Sequence, residues 1–421
     1  MQAVGIVAEY NPFHNGHKYH IDQTKAQLPD ADGVIAVMSG NFTQRGEPTI
    51  FDKWTRAQAA LYGGADLVLE LPPAFATRSA GYFAEGAVLT LASTGVVSHL
   101  SCGVESSDSF DMLKALQRIS QVLAEEPLQY RSYLYDNLAE GMSYPAARQV
   151  ALIRYGITEA EWLDTPNNIL ALEYLQTITN YNLSISPMFI PRAGVYHSES
   201  LPQDPLQFAS ATAIRKHIMQ NNSTWKAHMP ELSAQLLQEC LEDGIPPMQI
   251  ENFAQILLFL LRRSSPQELY NIVDIIEGIE NRIYDAAQRD NSYTMDDLCM
   301  AIKSKRFTYT RIQRTLLHIL LGFTTAYEAK APEYIRVLGF NATGQKLLKE
   351  MKKKAQLPIL IRPARQKNEL SLKGQKLLEL DIRATNLYFT GYTNPHLRQI
   401  NLDFLGKEVC IWLMCNFWKI A

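Results

Sequence analysis

His14 and His17 stand three residues apart around Asn15 and Gly16, just after an apolar run. Imidazoles so placed can donate hydrogen bonds to a phosphate whose charge grows during displacement. The bland alternative is a pair of surface histidines in a turn. A second set, Ser210-x-Thr212-x-x-Arg215, offers two hydroxyls and a cation at a predicted helix start. Hydroxyls and N–H groups there hold phosphate oxygens, with Arg215 as counter-charge. Alone, it reads as a plain N-cap with a surface arginine. A third set interleaves Lys303, Lys305, Arg306, Arg311 and Arg314 with Phe307 and Tyr309. Cations neutralise nucleic-acid phosphates and aromatics stack on splayed bases, although a charge run is also the mark of a solvated helix face.

The elements that must position these residues follow from periodicity. Residues 3–8 read as a buried strand, Asn11-Pro12 breaks it, and a helical pattern begins at His17. A strand, a tight loop and a helix start make an anion site, because unpaired N–H groups and the helix dipole face outward. Gly16 lets a nucleotide approach the backbone closely. Further strands are predicted over 33–38, 66–71, 99–104 and 185–190, separated by helices that include 52–62 and 80–93. This alternation predicts an α/β fold, a doubly wound parallel sheet, with ligands beyond the carboxyl ends of the strands. Gly40, Gly103 and the His14–His17 loop fall at such ends.

From about 225 to 330 the pattern is helical, with amphipathic segments ending at 263 and spanning 271–289. Arg311, Arg314 and His318 share one helical face, and the lysines of 346–354 extend the basic field. Strands are expected at 335–340 and 357–361. The apolar tail 409–414 must pack against something. The expected division is a catalytic domain over 1–220 and a mainly helical, basic region over 221–421, subdivided near 330.

The 421 residues carry a net charge of −3, yet Lys303 to Lys376 hold 17 Lys/Arg against 4 Glu, which leaves −16 elsewhere. A basic block inside an acidic chain is an electrostatic footprint for a polyanion. Five scattered cysteines fit reduced thiols in a cytosol, and no Cys/His cluster suggests zinc. The sequence has no membrane span and no signal-peptide pattern, so a cytoplasmic protein is expected.

The order Ala8-Glu9-Tyr10-Asn11-Pro12-Phe13-His14-Asn15-Gly16-His17 resembles the His-x-Gly-His signature of the nucleotidylyltransferase superfamily. With Ser39-Gly40-Asn41-Phe42-Thr43-Gln44-Arg45-Gly46-Glu47-Pro48 after it, the chain is similar to the bacterial tRNA(Met) cytidine acetate ligase family. The resemblance implies activation of acetate by ATP and acetylation of N4 of the wobble cytidine of elongator tRNA(Met). It implies His14 and His17 as the catalytic pair, and an ATP site of Val7, Ala8, Glu9, Tyr10, Asn11, Pro12, Phe13, His14, Asn15, Gly16, His17, Lys18, Tyr19 and His20. Gly103, Asn167, Asn168, Arg192, Ser210, Thr212 and Arg215 complete that site. It also implies that Lys303, Lys305, Arg306, Arg311 and Arg314 bind tRNA. Magnesium on the triphosphate is expected, with no acidic pair to mark protein ligands. Arg45, Lys53 and Arg56 are candidates to receive the acetate carboxylate or the pyrophosphate. Two rivals stay open: a nucleotidylyltransferase acting on a phosphorylated cofactor precursor, and a non-catalytic RNA-binding protein.

Overall fold

The computed structural model describes residues 1–105, 109–192, 200–204, 207–289, 294–405 and 409–410. Its centre is one sheet. Strand β1 (Ala3–Ala8) lies between β2 (Val34–Ser39) and β4 (Val97–Val104), with β3 (Leu67–Leu71) beyond β2 and β5 (Ser186–Pro191) beyond β4. These five strands are parallel. Their near-continuous apolar runs fit burial on both faces, which every residue of β2 and β3 shows. Helices α1 (Asn15–Gln27) and α2 (Lys53–Tyr62) follow β1 and β2. Asp52 caps α2, its Oδ1 accepting the amides of Trp54 and Thr55 at 2.9 and 3.1 Å.

Past residue 220 the chain is helical as far as the helix Tyr309–Leu321, then returns to the same sheet. Strand β6 (Ile335–Phe340) runs antiparallel to β3, with Leu67 opposite Phe340. Its other edge carries β7 (Ile359–Leu360) and β8 (Val409–Cys410). The second half therefore builds part of the first half's sheet. Of the apolar tail, residues 409–410 form β8, and 411–414 lie outside the described residues.

One predicted helix is shorter than its pattern. The segment 271–289 is helical only over Ile279–Arg289. Asp274, Glu277 and Gly278 take left-handed φ values of 64°, 65° and 80°. The preceding backbone is spent elsewhere: the Val273 amide donates to Phe323 at 2.9 Å, and Ile272 bridges Thr324. Tertiary pairing overrides the helical period there.

Candidate active site

The histidine loop closes on itself. His14 is the N-cap of α1, and its Nδ1 accepts the Gly16 amide at 3.1 Å. His17 Nδ1 accepts the His14 amide at 3.3 Å. The two rings stack, centroids 3.8 Å apart and planes 26° from parallel. Gly16 is required by this fold-back, since a Cβ there would meet His14 Cε1 at 2.9 Å. The expected array of unpaired α1 amides is thus partly consumed: His14 takes the Gly16 amide, and its carbonyl accepts the His17 and Lys18 amides. What the loop offers instead follows from the bonding. A neutral imidazole whose Nδ1 accepts must carry its proton on Nε2. His14 and His17 each present an Nε2–H donor.

Both rings stay neutral near pH 7. Burial, then the Arg192 and Arg215 charges, pushes His14 down to about 3. Burial, the stacked His14 and Arg192 hold His17 well below the ordinary imidazole value. His20 is pushed down to about 4, by burial and then Arg192. Its bonding order is fixed by a chain of hydroxyls. Thr24 donates to the His20 carbonyl at 2.7 Å, so Ser101 donates to Thr24 at 2.7 Å and His20 Nε2 donates to Ser101 at 2.9 Å. This chain ties α1 to β4 at the site.

Around the imidazoles lies a cavity of about 290 Å³ at the carboxyl ends of β1, β4 and β5. It brings together Val7, Ala8, Glu9, Tyr10, Asn11, His14, Gly16, His17, Tyr19, His20, Gly103, Asn167, Arg192, Ser210, Thr212 and Arg215. The helix Ala211–Met219 opens on it, with Ser210 Oγ accepting the Ala213 amide at 3.0 Å. Arg215 donates to the Asn11 carbonyl at 2.9 Å and to Thr212 Oγ1 at 3.3 Å, which fixes its guanidinium at the cavity wall. Asn167 donates to Glu105 Oε1 at 2.6 Å from the opposite side.

Several expected residues lie elsewhere. Lys18 is exposed and pairs with Asp22 at 2.9 Å, outside the cavity. Phe13 and Pro12 are buried packing residues, and Asn15 donates to the Ala227 carbonyl at 3.3 Å. Asn168 is a strut: its amide accepts from the Glu105 backbone at 2.9 Å and donates to the Trp162 carbonyl at 3.0 Å. Of the three acetate candidates only Arg45 lines the cavity. Lys53 is fully buried against both Glu70 oxygens, at 2.8 Å, and Asp403 Oδ1, at 2.7 Å. Arg56 donates to the carbonyls of Glu9, Phe51, Ser39 and Gly40, tying the ends of β1 and β2 together. Neither side chain is spare for an anion.

The sequence reading missed the walls: Gln44, Glu47, Tyr174 and Phe208 also line the cavity, and Ser101 anchors His20 there. Gln44 and Glu47 come from the loop 43–48, while Tyr174 and Phe208 come from segments far away in sequence, which no spacing marks.

The basic set splits similarly. Lys303, Lys305 and Arg306 are exposed, and Arg306 and Arg311 both reach Glu277, at 3.3 and 3.1 Å. Arg314 is half-buried, Phe307 is buried beneath Arg311, and the Tyr309 hydroxyl donates to Asp296 at 2.8 Å. Phe307 is therefore not a stacking platform. His318 is buried, within 3.0 Å of the Thr77 carbonyl, so it does not share the basic face.

This fold and this site are those of a HIGH nucleotidyl transferase, the family whose model matches residues 1–403. A Thermoanaerobacter tRNA(Met) cytidine acetate ligase is 43% identical over 411 residues, covering 96% of this chain and 98% of that protein. The Acetivibrio thermocellus tRNA(Met) cytidine acetate ligase is 40% identical over 418 residues, with the same coverage of 96% and 98%. The crystal structure of Thermotoga maritima TmcAL in its apo form superposes with a TM-score of 0.90 at 36% identity, over 97% of this chain and 99% of that one. The same protein bound with alpha-thio ATP superposes with a TM-score of 0.89 at the same identity and coverage. The chain belongs to the tRNA(Met) cytidine acetate ligase family.

Proposed function

We infer that this protein is an ATP-dependent ligase that activates acetate and transfers the acetyl group to N4 of the wobble cytidine of elongator tRNA(Met). The carrying observation is one cavity that gathers the stacked His14–His17 pair, the Ser210–Arg215 helix start and the cations Arg45 and Arg192. An acetate oxygen attacks the α-phosphorus of ATP and pyrophosphate leaves. Such displacement asks mainly for positioning and charge stabilisation. The imidazole Nε2–H donors face the phosphate oxygens. Arg215, Arg192 and Arg45 carry the compensating charge.

Among the described residues no cluster of three or more His, Cys, Asp or Glu side chains could hold a metal. A magnesium ion bound with the triphosphate would add positive charge there. The exposed Lys303, Lys305 and Arg306 bring in the tRNA. Among the described residues no helix is long and apolar enough to cross a membrane. A cytoplasmic location goes with this reading, since tRNA is its substrate.

The test is purified protein with ATP, labelled acetate and tRNA. Label is expected in tRNA only when ATP is present, at a base that digestion identifies as N4-acetylcytidine. Adenylylation of a small phosphorylated cofactor without label in RNA would overturn the reading.

A further inference from the structure

The cavity that must take two anions, ATP and acetate, is also walled by a carboxylate. Glu9, just past β1, lines it, and Oε1 accepts the Gln44 amide at 2.7 Å. Among the described residues that is its side chain's one hydrogen bond, which leaves Oε2 to the cavity. A carboxylate repels both substrates, so binding alone does not explain it. A proton acceptor does, because an amine that attacks an acyl carbon must shed a proton.

Glu9 also lies beside the loop that joins the cavity to the C-terminal helices. The loop 43–48 separates the cavity from the helix Tyr309–Leu321, which follows the exposed cations of 303–306. On one side Arg45 and Glu47 line the cavity. On the other, Gln313 Nε2 donates to Glu47 at 3.4 Å. Gly46, at φ 85°, lies so close that a Cβ would meet the Arg314 amide nitrogen at 2.5 Å. Gln44, the residue bonded to Glu9, belongs to this same loop. Glu9 thus stands on the cavity wall whose far side packs on Gln313 and Arg314, in the helix that follows the exposed cations.

We propose that Glu9 is the general base of acetyl transfer, its Oε2 taking the proton from the cytidine amine. This rests on the ligase reading above. The N4 lone pair attacks the acetyl carbonyl carbon and an N–C bond forms. The C–O bond to the phosphoryl oxygen breaks, and AMP leaves with that electron pair. The N4 proton passes to Glu9 and from there to water. The neighbouring imidazoles are poorer acceptors, since the Nδ1 lone pairs of His14 and His17 already take backbone amides. The charged and titratable groups facing Glu9 are Arg45 and Glu47 on the loop, Arg215, Arg56 and Tyr174. Burial raises the Glu9 carboxyl above its ordinary range, and the Gln44 amide, Arg45 and Arg215 pull it back only in part.

Glu9→Gln keeps an oxygen for the Gln44 amide and removes the base. Two rates are read on the full chain: acetate-dependent ATP–pyrophosphate exchange without RNA, and single-turnover transfer from acetyl-adenylate to tRNA. Transfer is expected to fall by about 10²–10⁴-fold relative to exchange, and the acidic limb of its pH profile to vanish. Glu9→Asp is expected to restore that limb, and Glu47→Gln to keep it. Equal loss of both rates in Glu9→Gln, unchanged transfer, or loss of the limb in Glu47→Gln instead would overturn the proposal. A wild-type protein that acetylates no tRNA would overturn the ligase reading and the proposal together.

Discussion

Neutral imidazoles make the free protein sensitive to acid in a defined direction. His14 has a folded pKa of about 3 against an ordinary 6.5. Between those values the unfolded chain binds more protons than the folded one, so stability rises with pH across the window and is flat above it. Acidification from about pH 7 to 4.5 should remove on the order of 1–3 kcal/mol through this one residue. His14→Asn keeps an acceptor for the Gly16 amide and should make the dependence shallower, leaving the shares of His17 and His20, read as urea midpoints at the two pH values. An equally steep loss in the variant would contradict a depressed His14.

The residues behind this behaviour are legible in the chain, because four consecutive positions hold both the imidazoles and the glycine their stacking needs. Lys53 and Arg56 were not legible. A cation near a helix start looks the same in sequence whether its partner is a phosphate or a buried carboxylate and strand-end carbonyls. Asn168 hid for the same reason: a helix-start amide can bond a base or a neighbouring backbone.

At the scale of elements, the site is held by ties between segments far apart in sequence. Lys53 on α2 joins Glu70 on β3 to Asp403, and Arg336 on β6 reaches the same Asp403 oxygen at 2.8 Å. This buried cluster fastens the C-terminal strands to the parallel sheet beside the β2 loop. Lys53→Met removes the charge and keeps the length, leaving Glu70 and Asp403 in the interior with one fewer cation. The expected cost is about 3–5 kcal/mol in equilibrium unfolding, and a loss below about 1 kcal/mol would show the cluster to be dispensable. The strands themselves were legible from apolar runs bounded by Gly, Pro and Asn. Their pairing was not, because β6 carries no mark that selects β3 as its antiparallel neighbour. The loop 43–48 was legible as a loop, yet its role between cavity and basic helix depends on contacts with Gln313 and Arg314 that spacing cannot reveal.

Across the whole molecule, charge and chemistry are segregated. The cavity lies at the carboxyl ends of the parallel strands, and the loop that forms one of its walls packs on the helix that follows the exposed cations of 303–306. The asymmetry of charge was countable from composition, whereas Glu277 as a shared partner of Arg306 and Arg311 was not. Separation of this kind requires that activation of acetate and capture of RNA be independently removable. The most direct measurement is acetate-dependent ATP–pyrophosphate exchange in the absence of RNA, made on wild type and on His17→Ala, with tRNA affinity measured on the same preparations. Wild type should exchange without RNA. His17→Ala should lose at least about 10²-fold of that rate, the scale of one lost transition-state donor, while its tRNA Kd stays within about threefold. Exchange that survives in His17→Ala, or that needs tRNA in wild type, would contradict the account.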